Sequence, residues 1–343
     1  MNLCVMAFTR QGTQLALQIC DILHQLDCHC EAYTTLTPPP EGAFGVPDGL
    51  SRWTGQQMAQ RDGLIFIGAC GIAVRSIAPH LKGKTEDPAV VVLDENGRFA
   101  ISLLSGHIGG ANDLAELLAR ATGATPVITT ATDVAGKWSV DNWAARHGLA
   151  ILGLDAAKAV SVALLRDEPV GLFTQYSIQT PLPQGIVLAE DGALGIAITI
   201  HKDCQPFTQT LTLVPKTIAL GIGCRRGVSK ESIQQAVDAA LNANGINRQA
   251  VAAVYSIDLK AQEPGLLEFC REHSLPFQTF CAEALASVPG EFTPSPFVAQ
   301  VTGVDNVCER SALLGSGGSL LFPKQSHNGV TVAAAQLPYS IEF

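Results

Sequence analysis

The segment Leu103–Asp113 carries side chains that can do acid–base chemistry. It places a hydroxyl (Ser105), an imidazole (His107), an amide (Asn112) and a carboxylate (Asp113) among three glycines. An imidazole exchanges protons near neutral pH, and glycines let a backbone approach a ligand closely. The pattern predicts a reaction site with His107 as a candidate general base.

A strand-to-helix turn is expected to present these groups. The apolar run Phe99–Leu104 is typical of a buried strand, and Leu114–Arg120 is typical of a helix. Free N–H groups at a helix start favour an anion or a developing oxyanion. We therefore expect the turn to stabilise negative charge.

A second set of polar groups follows a short predicted strand. The segment Pro126–Asp133 ends with Thr129, Thr130 and Asp133 among its polar residues. Ligands of open α/β sheets gather outside the carboxyl ends of strands. Asp133 is expected either to orient His107 or to act as the base itself, and the sequence leaves both open.

Ser105 offers a hydroxyl in the same turn. It is expected to donate a hydrogen bond or, as a weaker alternative, to act as a nucleophile. A classical serine hydrolase is disfavoured because the chain has no Gly-x-Ser-x-Gly elbow.

The elements around these turns alternate between strand and helix. Apolar runs predict the strands Leu3–Phe8, Cys28–Tyr33 and Leu64–Ile67, and a hairpin is expected around the turn Asp94–Gly97. Helices are expected near Leu15–Leu26 and Trp53–Arg61. The order of elements predicts parallel crossover units.

The predicted fold class is a multi-domain α/β protein. Three-layer α/β/α sheets are expected in an N-terminal domain (residues 1–133) and a C-terminal domain (residues 216–343). A small middle module (residues 134–215) separates them. At 343 residues with 47% hydrophobic content, the chain can supply a core for each part.

Two further glycine-containing loops precede predicted helices. One is Gly68–Arg75, and the other is Gly221–Gly227, ahead of the expected helix cap Ser229. The second loop has the spacing Gly-x-Gly-x-x-x-Gly, which is a weak match to a dinucleotide site. Its Arg225 and Arg226 suit ligand carboxylates, although a solvated arginine pair explains them equally well.

Composition narrows the class of protein. The net charge of -9 argues against a nucleic-acid surface, but an anionic small molecule needs only a few local cations. No apolar run reaches the ~18–20 residues that span a bilayer, and Met1–Thr9 lacks the pattern of a secretion signal. We expect a cytoplasmic protein without a membrane segment.

The ten cysteines are expected to be mostly reduced core residues. Cys28-His29-Cys30 lacks the usual ligand spacing of a zinc site, and it is interpreted as a strand end rather than a metal site. The expectation of reduced core positions rests on the apolar segments around Cys4, Cys20, Cys70, Cys270 and Cys281.

Four blocks of the sequence together resemble the CbiG family of cobalamin biosynthesis. They are Gly71–Pro79, Lys84 with Asp87–Val90, Leu103–Asn112 and Val127–Asp133. The C-terminal part, with Gly221–Arg225 and a turn near Gly303, resembles the family's C-terminal domain, which is related to the CobE proteins.

The resemblance implies a hydrolase of cobalt-precorrin-5A in the anaerobic route to vitamin B12. Water would open the δ-lactone of the contracted macrocycle, and the extruded carbon would leave with its methyl group as acetaldehyde to give cobalt-precorrin-5B. The resemblance implies no cofactor or metal of the enzyme's own, since cobalt arrives within the substrate.

The residue types in the predicted turns fit this chemistry. Gly109 and Gly110 amides would hold the lactone oxyanion, and either His107 or Asp133 would be the base. The acidic arms of the macrocycle would pair with the cations Arg75, Lys84, Arg225 and Arg226. Further substrate contacts are expected from Gly71, Gly106, Asn112, Thr129, Thr130 and Gly223. We expect all these loops to gather around one polyacid ring.

Two other classes of function compete with this interpretation. A non-catalytic carrier of the tetrapyrrole would show the same glycines and arginines, and a nucleotide-dependent enzyme would be stabilised by NAD or ATP. The sequence leaves open the oligomeric state, contacts with neighbouring pathway enzymes, and whether the middle module acts as a lid.

Overall fold

The chain folds as a mixed α/β protein, as the sequence predicts. It divides into two compact units, Met1–Ala145 and Arg146–Phe343. The predicted three-domain boundaries stay a prediction. The computed structural model describes residues 1–46, 48–83, 86–131 and 135–343.

The first unit is built on a twisted sheet with the strand order β3-β2-β1-β4-β5-β6-β7. Strands β1 to β5 run parallel, and β6 and β7 run in the opposite direction. In chain order the strands are β1 (Asn2–Ala7), β2 (His29–Thr34), β3 (Phe44–Gly45), β4 (Gly63–Ile67), β5 (Ala89–Leu93), β6 (Phe99–Leu104) and β7 (Thr125–Val127).

Helices cover both faces of this sheet, so the predicted three-layer arrangement is confirmed here. Alternate residues of β1 point to opposite faces. Val5 packs in one core with the helices α1 and α4, and Met6 packs in another with α2 and α3. The helices of this unit are α1 (Arg10–Gln25), α2 (Leu50–Gln60), α3 (Cys70–Ile77), α4 (Ala111–Thr122) and, at its end, α5 (Val140–Arg146).

Helix α1 begins earlier than predicted. Thr9 caps it by accepting a hydrogen bond from the Gly12 N–H at 3.1 Å, so the helix starts at Arg10 and not near Leu15. A Cβ at Gly12 would lie 3.3 Å from Ile67 Cγ2. The glycine therefore serves close packing of the helix on β4.

The β5–β6 hairpin decides which loops can meet. Val90 pairs with Leu104, so β6 ends beside the start of β5. The N–H of Gly68 donates to the carbonyl of Leu93, so the loop after β4 starts beside the end of β5. The hairpin is confirmed, and it places the two glycine-containing loops of this unit at opposite ends of the strands. The length of a five-residue strand, about 16 Å, separates the two ends.

Strand β6 is less buried than predicted. Ala100 is fully buried, but the side chain of Phe99 is 47% exposed and the rest of the strand is half-buried. The reason is its position near the sheet edge, where it is flanked by the three-residue strand β7.

The second unit begins with a sheet of strand order β11-β9-β12-β13-β8, in which β8 alone is antiparallel to its neighbour among the described strands. Helix α6 (Leu154–Leu165) packs against it, and the short strands β10 and β19 pair separately. The strands are β8 (Ala150–Leu152), β9 (Val170–Thr174), β10 (Ser177–Ile178), β11 (Ile186–Leu188), β12 (Gly192–Ile198), β13 (Phe207–Val214) and β19 (Ser340–Ile341).

A further sheet of the second unit has the order β16-β15-β14-β18-β17. It too lies between helices, because Leu220 packs with α7 and α8 while α11 crosses the opposite face. Its strands are β14 (Ile218–Cys224), β15 (Val251–Ile257), β16 (Phe277–Phe280), β17 (Ser319–His327) and β18 (Val330–Gln336). The accompanying helices are α7 (Lys230–Ala243), α8 (Pro264–Glu272), α9 (Ala282–Ala286), α10 (Pro296–Thr302) and α11 (Cys308–Ser316).

The cysteines are all free thiols, but only half of them are buried. The expectation of core positions was wrong for Cys70, which is half-buried, and for Cys281, which is exposed. Cys30 lies in the core with its Sγ 3.1 Å from that of Cys20. This contact fits the interpretation of Cys28–Cys30 as part of a strand.

Two glycines should respond oppositely to substitution by alanine. A Cβ at Gly221 would lie 1.8 Å from the carbonyl oxygen of Cys308. We expect Gly221→Ala to lower the free energy of unfolding by about 3 kcal/mol or more through overpacking. Gly71 lies in helix α3, and a Cβ there would lie 3.8 Å from Arg75 Nη1, so Gly71→Ala should raise the free energy of unfolding by about 0.5–1 kcal/mol. Urea unfolding of both variants checks this, and equal effects would contradict the packing described.

Candidate active site

The Ser105–Gly110 loop joins β6 to α4 and folds back on the start of that helix. Backbone hydrogen bonds close it, because three consecutive amides at the helix start donate to loop carbonyls. The pairs are Gly110 N–H to His107 (2.9 Å), Ala111 N–H to Ser105 (3.0 Å) and Asn112 N–H to Gly106 (3.0 Å).

This closure changes the expected oxyanion donors. The prediction that the Gly110 N–H donates to an oxyanion was wrong, because this N–H donates to the carbonyl of His107. The N–H of Gly109 carries no acceptor within the described part of the chain. Gly109 therefore remains the candidate donor of the predicted pair.

Asn112 fixes the loop from beneath. Its side chain is 4% exposed, accepts from the Ser102 hydroxyl at 2.6 Å and donates to Thr130 Oγ1 at 3.1 Å. A Cβ at Gly106 would lie 2.7 Å from Asn112 Oδ1, which explains the glycine. Asn112 thus ties β6, the loop and the segment after β7 together, and these hydrogen bonds give Asn112 and Thr130 a structural part. Thr129, next in the same segment, is exposed.

Ser105 adopts a strained backbone with φ of 58°. Its Oγ is buried without a hydrogen-bond partner among the described residues. A Cβ at Gly109 would lie 2.4 Å from that of Ser105, so the two residues are in direct contact. The Ser105 hydroxyl is therefore closed to solvent, and its role in the reaction stays a prediction.

His107 forms a carboxylate–imidazole pair with Asp141, at the start of α5. His107 Nδ1 lies 3.1 Å from Asp141 Oδ2, and both side chains are mostly buried. Ser139 donates to Asp141 Oδ1 at 2.6 Å, and its Oγ lies 3.4 Å from His107 Nδ1. The arrangement provides a histidine beside an acidic group and within a loop that carries an available amide.

Sequence reasoning missed Asp141 and Ser139. The local signal was a serine and an aspartate ahead of an apolar helix, which helix capping explains as well. The partner that indicates a role in the site is His107, which lies 34 residues from Asp141 in the chain. The sequence-based choice, Asp133, lies outside the described residues, as does Lys84.

Gly71 and Arg75 are not brought to the His107 loop. They belong to α3, which starts after β4 at the other end of the strands, and Arg75 Nη1 lies 3.8 Å from a Cβ built at Gly71. The expectation of one ring of loops in this unit was wrong because the hairpin reverses the direction of β6. Arg75 is exposed.

A carboxylate from a distant part of the chain binds the end of the Gly221–Gly227 segment in the second unit. Glu263, which is 6% exposed, accepts from the Gly227 N–H at 2.7 Å and from Lys260 Nζ at 2.8 Å. Burial would raise the pKa of Glu263, but the hydrogen bonds from Lys260 and Gly227 outweigh it and lower the pKa. Arg225 and Arg226 are exposed on this loop.

The predicted loop was wrong for Gly221 and Gly223, which lie in strand β14 and serve packing. Gly221 faces the carbonyl of Cys308, and a Cβ at Gly223 would lie 2.6 Å from Thr331 Oγ1. The geometry gives no support to a dinucleotide site. Ser229 caps α7 as predicted, accepting from the Ser232 N–H at 3.3 Å.

The described residues lack two further features, a metal site and a membrane-spanning helix. They contain no group of three or more metal-ligating side chains that could hold an ion. None of the helices they form is long and apolar enough to span a membrane.

Comparison with known proteins identifies matches along most of the chain. Three family models match: the cobalamin synthesis G N-terminal model over residues 52–133, the cobalamin biosynthesis central region over 138–215, and the cobalamin synthesis G C-terminus over 218–335. Together these three regions account for most of the sequence.

Curated relatives match over nearly the whole chain. The cobalt-precorrin-5A hydrolase of Salmonella typhimurium is 35% identical, with 96% of each chain covered. That of Priestia megaterium is 31% identical, with 98% of this chain and 95% of the relative covered. A solved structure of a cobalamin biosynthesis protein G homologue from Sulfolobus solfataricus is 23% identical, with a TM-score of 0.43 over 98% of this chain and 97% of that one. On the family models and the curated relatives, this chain belongs to the CbiG family of cobalamin synthesis proteins.

Proposed function

We propose that this protein is a cobalt-precorrin-5A hydrolase. It opens the δ-lactone of the macrocycle with water and releases the extruded carbon as acetaldehyde, which leaves cobalt-precorrin-5B. The observation that carries the proposal is 35% identity to a cobalt-precorrin-5A hydrolase over 96% of both chains. The loop around His107 supplies groups that suit the chemistry.

Lactone opening needs a base, and it needs a hydrogen-bond donor for the negative charge that develops on the carbonyl oxygen. Attack of water on the carbonyl carbon moves electrons onto the carbonyl oxygen, and the bond from that carbon to the ring oxygen then breaks. His107 accepts the proton of the attacking water and returns it to the leaving ring oxygen, which becomes a hydroxyl. The Gly109 N–H donates to the developing oxyanion. One such donor contributes about 2.7–4 kcal/mol to lowering the barrier.

Loss of acetaldehyde follows from the opened lactone. The hydroxyl freed by hydrolysis gives its proton to a base, its oxygen forms the aldehyde carbonyl, and the adjacent carbon–carbon bond breaks. The electron pair of that bond passes into the conjugated macrocycle. The reaction needs no cofactor of the protein, and cobalt enters as part of the substrate. Asp133 stays the alternative base for this step.

The macrocycle presents carboxylate arms, and exposed arginines suit them. Arg75, Arg225 and Arg226 are exposed, and none has an ion-pair partner among the described residues. A guanidinium can hold a carboxylate through two parallel hydrogen bonds. We propose that Arg225 and Arg226 bind carboxylate arms in this way, and the predicted contact at Lys84 stays a prediction.

Removal of the imidazole should abolish turnover while the macrocycle still binds. We expect His107→Gln to lower kcat about 10²–10⁴-fold, the usual range for a general base. Anaerobic incubation with cobalt-precorrin-5A, scored by product mass and by trapping of acetaldehyde, measures this.

His327→Gln is the matched control, since His327 is an exposed histidine at the end of β17. It should keep wild-type turnover. Undiminished turnover in His107→Gln would remove this residue from the reaction. Binding without turnover by the wild-type chain would favour a tetrapyrrole carrier instead.

A further inference from the structure

We propose that Asp141 is the positioning residue of the active site, holding the proton of His107 on Nδ1 so that Nε2 accepts the proton of water. This deepens the proposed function and rests on it for the identity of the reaction. The inference starts from the geometry of one carboxylate whose two oxygens have different partners.

The first oxygen, Oδ1, is held by the start of helix α5. It accepts from the Ser139 hydroxyl at 2.6 Å and from the backbone N–H of Asn142 at 3.1 Å. Ser139 is itself buried, and its carbonyl accepts from the Trp143 N–H in the first turn. These contacts fix the carboxylate plane, and the positive end of the helix favours its negative charge.

The second oxygen, Oδ2, points to His107 Nδ1 at 3.1 Å. A carboxylate without a proton can only accept a hydrogen bond, so Nδ1 must be the donor. A neutral imidazole with its proton on Nδ1 has its lone pair on Nε2. The carboxylate thereby selects which ring nitrogen acts as the base.

The charge state of Asp141 agrees with this role. Burial alone would raise the pKa of Asp141, but hydrogen bonds from His107 and Ser139 outweigh burial and bring the pKa down to about 2. The carboxylate is therefore ionised near neutral pH. It also stabilises the imidazolium that forms when His107 takes a proton.

Helix capping alone is the competing explanation of Asp141. Capping needs only Oδ1, whereas the contact with the imidazole uses Oδ2, so the two explanations differ in what they predict for His107. A capping role would leave the tautomer of the ring unchanged when the charge is removed. Asp141→Asn is the discriminating variant, because it keeps the shape and an oxygen for the cap but offers the ring an N–H donor.

The tautomer is read directly by nitrogen-15 NMR of histidine-labelled full-length protein, with the His107 signals assigned by their loss in His107→Gln. We expect the Nδ1–H form in the wild type and a shift to the Nε2–H form in Asp141→Asn. An Nε2–H form in the wild type would overturn the proposal, and so would an unchanged tautomer in the variant. The wild-type measurement stands even where the variant fails to fold.

Kinetics give the second readout. We expect Asp141→Asn to lower kcat at least 100-fold with KM within about 2-fold, since the equivalent change in a serine protease costs about 10⁴. The acidic limb of the kcat–pH profile should move to lower pH, because the imidazolium loses its neighbouring charge. Asp141→Glu should recover part of the rate. Wild-type kcat in Asp141→Asn would contradict the proposal.

Acid unfolding tests whether the carboxylate is paired as described. A pKa lowered from 3.8 to about 2 stabilises the fold above pH 4, and this stabilisation is lost as pH falls through 2. Wild type should exceed Asp141→Asn in stability at pH 6, and the two should converge near pH 2. A constant difference would contradict the pairing.

Failure of the proposed reaction would show as absent acetaldehyde in the wild type, while the tautomer and acid unfolding still test the role of Asp141.

Discussion

The reversal of the chain at the β5–β6 hairpin is the constraint on which the site depends. A parallel strand in that position would have delivered the glycine loop to the same end of the strands as the loop after β4. Because β6 runs backwards, Ser105–Gly110 emerges beside the start of β5 instead. The groups that His107 can meet are therefore those after β7 and at the start of α5, and the loop at Gly71 is excluded.

Buried polar contacts then hold the loop in one shape. Asn112 satisfies its amide against Ser102 and Thr130, and three helix-start amides are spent on loop carbonyls. Buried polar groups without partners are costly, so an amide that is paired at both its oxygen and its nitrogen specifies the loop more sharply than apolar packing does. The exceptions, the strained Ser105 and the Gly109 amide, lie next to each other in the same loop. Strain of this kind is often stored where a chain binds or reacts.

Much of this architecture was predictable from local pattern. Apolar runs placed β1 and β4 closely, the turn Asp94–Gly97 gave the hairpin, and Ser229 marked the start of α7. The same hairpin already implied that β6 is antiparallel. The expectation of one ring of loops ignored that consequence and so misplaced Gly71 and Arg75.

The rest depended on contacts between residues distant in the chain. Asp141 resembles any acidic residue in a first helical turn until His107 lies beside it. Gly221 and Gly223 resemble a ligand loop until Cys308 and Thr331 are seen against them. Glu263 reaches the Gly227 amide across 36 residues. The spacing of residues in a motif does not show whether a backbone N–H is available to a ligand or already donates to another group of the chain.

The central claim is that water attacks the lactone carbonyl carbon. Turnover of cobalt-precorrin-5A in oxygen-18-labelled water, followed by mass spectrometry of the macrocyclic product, tests it most directly. One labelled oxygen should appear in the carboxylate freed from the lactone. A product without label would show that the lactone opens by another bond cleavage, and the account of His107 and Gly109 would then be wrong.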